Sequence, residues 1–232
     1  MKTTALYRPS PLRKQVYDHL RELLISDRLK PGDFINQAEL IANLGVSRTP
    51  LRESLMQLEA EGFVSIIPCR GVRINPLTLD GIRHIYQISG ALESAALEAI
   101  FPLMRKERLD ILTEITRRTE VLMKNGNFSA CHENDVTFHE TVLELCDNEE
   151  LLKMLRRSRE RLYHFSDIGA HNLSETRPDL AIWEREYWAQ HRKIISIFQN
   201  GAAREIADYV RYVHWDFDGV KAQITAFYQL TN

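Results

Sequence analysis

The sequence predicts a mostly α-helical chain in two parts: a winged helix-turn-helix over residues 1–76 and an all-α antiparallel bundle over residues 77–232. Three observations carry this. Apolar residues recur at steps of three and four along most of the chain. The two β-type segments, 63–67 and 71–74, are short and bracket a turn at Pro68 to Gly71. Charge changes sign at the turn-rich stretch Arg70-Gly71-Val72-Arg73-Ile74-Asn75-Pro76. Up to Pro76 there are 11 Lys and Arg against 8 Asp and Glu; beyond it, 19 against 24. The formal net charge of −2 is thus the sum of a +3 head and a −5 remainder, the pattern of a basic binding module joined to an acidic partner domain.

In the head, Leu12, Val16, Leu20, Leu23 and Leu24 form one helical face after Pro11, and Lys30-Pro31-Gly32 ends it. Ala38, Leu40, Ile41 and Leu44 form a second short helix that stops at Gly45. Ser47 then stands as an N-cap, Pro50 suits the first turn, and Leu51, Leu55 and Leu58 form the buried stripe of a third helix. Helix, short turn with glycine, helix, and a following two-stranded hairpin make a winged helix.

Such a module presents the first turn of its second motif helix to the major groove. Ser47, Arg48, Thr49 and Arg52 occupy that turn. Arg48 and Arg52 project from one face, and an arginine can reach guanine O6 and N7 with two hydrogen bonds. The Ser47 and Thr49 hydroxyls suit phosphate oxygens. Arg70, Gly71 and Arg73 place the wing against the DNA backbone or minor groove. The competing reading is a solvated basic face on a small helical cap.

The run Leu44-Gly45-Val46-Ser47-Arg48-Thr49-Pro50-Leu51-Arg52-Glu53-Ser54-Leu55, followed by Glu61-Gly62-Phe63 and Arg70-Gly71, resembles the GntR family of bacterial transcription regulators. The resemblance covers most of residues 10–76. It implies base and phosphate contacts at Ser47, Arg48, Thr49, Arg52 and the wing around Arg70 and Gly71. One departure is Ala38, where some members carry a DNA-contacting arginine.

The rest of the chain reads helical. Ile82, Ile85, Ile88, Leu92, Ala95, Ala96 and Ala99 trace one stripe; Leu109, Leu112, Ile115 and Val121-Leu122 trace another. Phe128 to Leu145, Leu151 to Phe165, Trp183 to Phe198 and Ala202 to Leu230 complete the set, the last bent near Gly219. Ser166 to Pro178 is polar and reads as a loop. No apolar run reaches the roughly 18 residues that span a bilayer, and Met1 to Arg13 lacks the pattern of a signal peptide. Cys69, Cys131 and Cys146 make neither a disulfide framework nor a CxxC site, which points to a reducing, cytoplasmic setting.

Function in a bundle comes from polar groups that face inward. Asp135 and His139 lie four apart, with Cys131, Val142 and Cys146 on the same face. His191 sits among Trp188, Ile194 and Ile195, and His214 near Val210, Val213 and Phe217. Three imidazoles and one carboxylate suit a divalent transition metal such as zinc or nickel. With neutral histidines the centre carries a net charge of about +1 and attracts an anionic ligand. Four unrelated inward-leaning polar residues remain the alternative on spacing alone.

Asp135-Val136-Thr137-Phe138-His139, Asn148 with Leu151-Leu152, His191-Arg192-Lys193-Ile194-Ile195 and the later His214 resemble the FCD ligand-binding domain of the FadR subfamily. This covers approximately residues 78–228. The resemblance implies a metal held by Asp135, His139, His191 and His214, with His214 one residue later after Gly201 than the pattern expects. It also implies an arginine four residues before Glu93 that clamps a ligand carboxylate. Ser89 stands there instead, and a serine makes no bidentate clamp. Arg157, Arg161 and His164 are the substitute cations the sequence offers, with Tyr163, His171 and Trp183 as further pocket residues.

The chain therefore reads as a dimeric, ligand-responsive regulator on palindromic DNA, a repressor released by an anionic metabolite such as an organic or sugar acid. A direct metal sensor is the second reading. A metalloenzyme is the third: a zinc with three histidines and one aspartate has no open position, and no HExxH-like base accompanies it.

Overall fold

In the computed structural model, residues 12–25, 28–29, 32–172 and 178–227 are described. They fall into two compact units, Met1–Pro76 and Leu77–Asn232.

The first unit holds α1 (Leu12–Ile25), α2 (Gln37–Leu44), α3 (Arg48–Ala60), β1 (Val64–Ile67) and β2 (Gly71–Ile74). Asn36 starts α2 by accepting a hydrogen bond from the Glu39 amide, and Gly45 ends it in the left-handed conformation, φ 62°. α3 begins at Ser47, whose backbone is extended but whose side chain makes no capping hydrogen bond among the described residues. The Ser54 hydroxyl lies within hydrogen-bond reach of Pro50 O and Arg13 O, which ties α3 to the start of α1. Val16, Leu20, Leu51, Leu55, Leu58, Phe63 and Ile74 form the core. β1 and β2 pair antiparallel with Val64 opposite Ile74 and Ile67 opposite Gly71. Residues 32–35 add an unexpected third edge: Gly32 and Ile35 donate to Ile74 O and Val72 O, and Phe34 bridges Arg73. Pro31-Gly32-Asp33 hides that segment from any strand pattern in the sequence.

The second unit holds α4 (Leu79–Ile100), α5 (Lys106–Lys124), α6 (Phe128–Leu143), α7 (Glu149–Asn172), α8 (Pro178–Asn200), α9 (Ala203–Tyr209) and α10 (Phe217–Phe227). A 3₁₀ turn, Phe101–Leu103, follows α4, and a π-turn, Val210–His214, follows α9. Thr78, Asn127 and Asn148 accept from amides in the first turns of α4, α6 and α7. α4 packs on α7 and α9, and α5 packs on α6 and α8. Ile82, Leu97, Leu112, Phe138, Leu155, Trp188, Ile197 and Ile206 lie in the shared core.

Three expectations are corrected here. The inward face of α4 is rotated from the all-apolar stripe: Ile88 is exposed, as are Ala95 and Ala99, while Ser89 and Glu93 are buried beside Ile82, Ile85, Ala96 and Leu97. The buried face is set by the polar partners it meets. The segment expected as a loop from Ser166 to Pro178 continues α7 to Asn172, and α8 starts at Pro178, not Trp183. The last helix is three pieces, and its break falls at Trp215-Asp216 after the π-turn. Gly219 lies inside α10, against the Asp216 carboxylate.

Candidate functional site

The first unit carries an exposed cationic end. Ser47, Arg48, Thr49 and Arg52 are all solvent-exposed at the start of α3, while Leu51 between them is buried. Arg70 and Arg73 are exposed on the hairpin and Gly71 is half-buried. Cys69 at the hairpin tip has φ 59°, so the turn presents Arg70 through a tight left-handed bend. Arginines that point outward from a helix first turn and a β-turn are free to meet phosphates and base edges.

In the second unit, α6 presents Asp135 and His139, α8 presents His191, and the π-turn presents His214. All four are buried. Nitrogen atoms of the three histidines lie within 4.8 Å of one another. His139 Nε2 is 3.3 Å from His214 Nε2. Asp135 Oδ1 is 3.0 Å from His191 Nε2 and 3.6 Å from His139 Nε2. Ligands about 2.1 Å from one divalent ion stand ~3.0–3.4 Å apart in octahedral or tetrahedral arrangement, so these spacings fit a shared ion.

The outward ring nitrogens settle which atoms face inward. His139 Nδ1 lies 2.6 Å from Glu93 Oε1, His191 Nδ1 3.1 Å from Tyr187 O, and His214 Nδ1 3.0 Å from Gln190 Oε1. Each oxygen accepts, so each Nδ1 carries a proton, and a neutral imidazole then has its lone pair on Nε2. In that form His139 Nε2 and His214 Nε2 face each other at 3.3 Å, with Asp135 Oδ1 beside His139 and His191. Asp135 Oδ1 and His191 Nε2 are buried atoms with no hydrogen-bond partner. Desolvated acceptors left facing one another are costly unless a cation joins them.

Aromatic rings wall the centre. Trp188 stacks on His191 with centroids 4.4 Å apart, Phe138 meets His191 edge-on at 4.6 Å, and Tyr187 stacks on His214 at 5.1 Å. A cavity of about 310 Å³ is lined by Tyr187 and Gln190, which touch His214, and by Trp183, Tyr212 and Asp216.

Burial alone pushes the Asp135 and Glu93 carboxyls up, but the histidines beside both, and Arg159 beside Glu93, outweigh it and hold both well below the usual carboxylate range. Burial pulls His139 down, but Glu93 and Asp135 raise it on balance. Burial lowers His191, and burial with its two histidine neighbours lowers His214 further. Both are thereby kept as neutral imidazoles. Burial and the nearby Glu184 push the Cys131 thiol up to about 12, which keeps it out of thiolate chemistry. Burial and Asp135 push Glu184 up to about 7; Trp188 Nε1 donates to it at 3.2 Å.

The pocket residues expected from the sequence are placed differently. Ser89 is fully buried, and its hydroxyl pairs with Ser158 at 3.2 Å. Arg157 is exposed on α7, turned away from the core. The side chains of Arg161, Tyr163, His164 and His171 lie outside the described residues. Among the described residues the buried cation is instead Arg159, 3.5 Å from both Glu93 Oε1 and Glu140 Oε1. Its signal was available: residue 159 continues the stripe Leu152, Leu155, Leu162 at helical steps. Gln190 and Trp215 carried no such mark, and Glu93 was marked only as the residue that locates Ser89.

Residues 12–74 match the bacterial regulatory proteins of the gntR family, and residues 84–213 match the FCD domain. The chain is 31% identical over 164 residues to the HTH-type transcriptional regulator YdhC of Bacillus subtilis, covering 70% of this chain and 73% of that one. It is 32% identical over 142 residues to the Nta operon transcriptional regulator of Aminobacter aminovorans, covering 60% and 66%. It is 22% identical over 166 residues to the HTH-type transcriptional repressor RspR of Escherichia coli, covering 70% and 73%. The same fold occurs in a GntR regulator from Rhodococcus, TM-score 0.65 at 19% identity over 92% of this chain and 98% of that one. It recurs in E. coli McbR/YncC, TM-score 0.64 at 20% identity over 95% and 99%. Among the described residues no helix is long and apolar enough to cross a membrane. With a GntR head, an FCD domain and relatives that regulate transcription, this chain belongs to the GntR family, in its FadR-like subfamily, as a DNA-binding regulator and not an enzyme.

Proposed function

We propose that this regulator is a cytoplasmic homodimer that binds a palindromic operator and answers to an anionic metabolite held beside a metal. Asp135, His139, His191 and His214 would hold a divalent ion, zinc or nickel by the nitrogen-rich donor set. What supports this is the mutual approach of three buried histidines within 4.8 Å, each Nδ1 anchored outward, with Asp135 Oδ1 3.0 Å from His191 Nε2 and 3.6 Å from His139 Nε2. A metal there supplies a Lewis-acidic point with net positive charge that an organic or sugar acid can enter.

In the head, Arg48 and Arg52 would read bases, Ser47 and Thr49 phosphates, and Arg70, Gly71 and Arg73 the flanking groove. A dimer places two heads on half-sites related by its two-fold axis. Effector binding would bias the helical unit between two arrangements, and the link to the head is the covalent one through Asn75-Pro76. Release from DNA, hence repression, parallels the repressor RspR among its relatives.

A direct metal sensor is favoured by one observation: Ser89, where the resemblance expects a carboxylate clamp, is sealed against Ser158. The test is fluorescence anisotropy of the full chain on DNA from its own promoter region. Release by organic acids only in metal-loaded protein supports the metabolite reading. Affinity that follows zinc or nickel alone supports the sensor, and affinity indifferent to both overturns the two together.

A further inference from the structure

One carboxylate serves two of the four proposed ligands at once. Glu93 is 1% exposed on α4, in the middle of the bundle. Its Oε1 accepts from His139 Nδ1 at 2.6 Å, and its Oε2 accepts from Trp215 Nε1 at 2.6 Å. Trp215 directly follows His214, and its amide closes the π-turn on Val210 O at 3.0 Å. A single π-turn at a functional site commonly exists to aim one side chain, and here that side chain is His214. α4 is shaped to permit the contact. A Cβ on Gly90 would sit 2.9 Å from Trp215 Cβ and 3.4 Å from Arg211 O, so glycine lets the π-turn approach the helix.

The charge on Glu93 is balanced from a fourth element. Arg159 on α7, fully buried, places Nη1 3.5 Å from Glu93 Oε1. α4, α6, α7 and the π-turn therefore meet at one carboxylate.

We propose that Glu93 is the positioning residue of the metal centre. It fixes the His139 tautomer so that Nε2 faces the ion, and through Trp215 it locks the π-turn that delivers His214. Arg159 is the counter-ion that lets Glu93 stay buried as a carboxylate. The metal occupancy is thus read directly by α4, the helix whose first residue stands five positions after the wing strand β2. This inference rests on the metal reading given above, and the test separates the two. A carboxylate behind a ligating histidine changes metal affinity typically 10–100-fold when lost.

The experiment is a zinc titration of the metal-free full chain against a chromophoric chelator, with the cobalt visible spectrum as second readout. Wild type, Glu93→Gln and the double variant Glu93→Gln/Arg159→Met are compared. Glutamine keeps the shape but offers one acceptor oxygen to two donors, so zinc affinity falls about 10–100-fold and the cobalt bands shift. The double variant removes both buried charges together, so it folds even where the single variant does not, and its zinc affinity stays low. Wild-type zinc affinity with unchanged cobalt bands in both variants overturns the inference and leaves the metal centre standing. Failure of wild type itself to bind zinc or cobalt overturns the metal reading.

Discussion

The two units of this chain handle charge in opposite ways. The head sets Arg48, Arg52, Arg70 and Arg73 out in solvent, over a core that is mostly apolar among the described residues, with Ser54 and the Tyr17 hydroxyl as its buried polar groups. The helical unit buries its charge: Glu93, Asp135, Arg159, Glu184 and three histidines lie inside, in contact with Trp188, Phe138 and Trp215. Exposed cations cost the fold almost nothing and act only when a partner arrives. Buried ions cost several kcal/mol each in desolvation and persist only where every charge is matched. In the head, binding and stability should separate under substitution; in the helical unit they should move together.

The sharpest break of that contrast is Arg159→Met. It takes from Glu93 its buried guanidinium and leaves His139 to balance the carboxylate alone, and loss of one partner from a buried pair costs about 3–5 kcal/mol. Chemical denaturation of the metal-free chain should show that loss in the helical unit.

Next comes Glu184→Gln, read against pH. The Glu184 pKa is raised from an ordinary 4.5 to about 7 in the folded chain. A raised carboxyl favours folding fully only while protonated, so its contribution is present below about pH 4.5 and is lost as pH rises through about 7. Glutamine removes that slope. At pH 8 the variant should be more stable than wild type by about 3 kcal/mol, and at pH 4 equal to it. The two measured in parallel with chelator cancel the slopes of the other groups.

Arg48→Ala and Arg52→Ala test the other side of the comparison. Each should weaken specific DNA binding by about 1–3 kcal/mol and leave the unfolding midpoint unchanged, by anisotropy and thermal melts on the same samples. Ser47→Ala gives the smallest effect. Its hydroxyl caps nothing among the described residues, so the stability loss should fall below the ~1 kcal/mol of an ordinary N-cap, while DNA affinity drops.

The same contrast explains what the sequence revealed. The winged helix was legible because its signals are local: Gly45 stopping α2, Pro50 in the first turn of α3, and the Pro68–Gly71 turn of the hairpin. Asp135, His139, His191 and His214 were legible as residues on inward faces, but their approach required three elements, α6, α8 and the π-turn, to come together. Glu93 entered the sequence reading only as the residue that locates Ser89, and its inward role was missed for a physical reason. A helical stripe is read by its apolar members, and the structure buries polar Ser89 and Glu93 where Ile88, Ala95 and Ala99 fit the apolar pattern better. The break at Trp215-Asp216 was also hidden, because no glycine or proline marks a π-turn.

A divalent ion joining the three Nε2 atoms and Asp135 would be seen by elemental analysis of protein purified without chelator, with X-ray absorption at the edge of the metal found. One zinc or nickel per chain is expected, in a nitrogen and oxygen ligand shell containing three imidazoles, lost in His191→Ala. A chain that carries no metal and takes up none when supplied, or a shell containing sulfur, would contradict it.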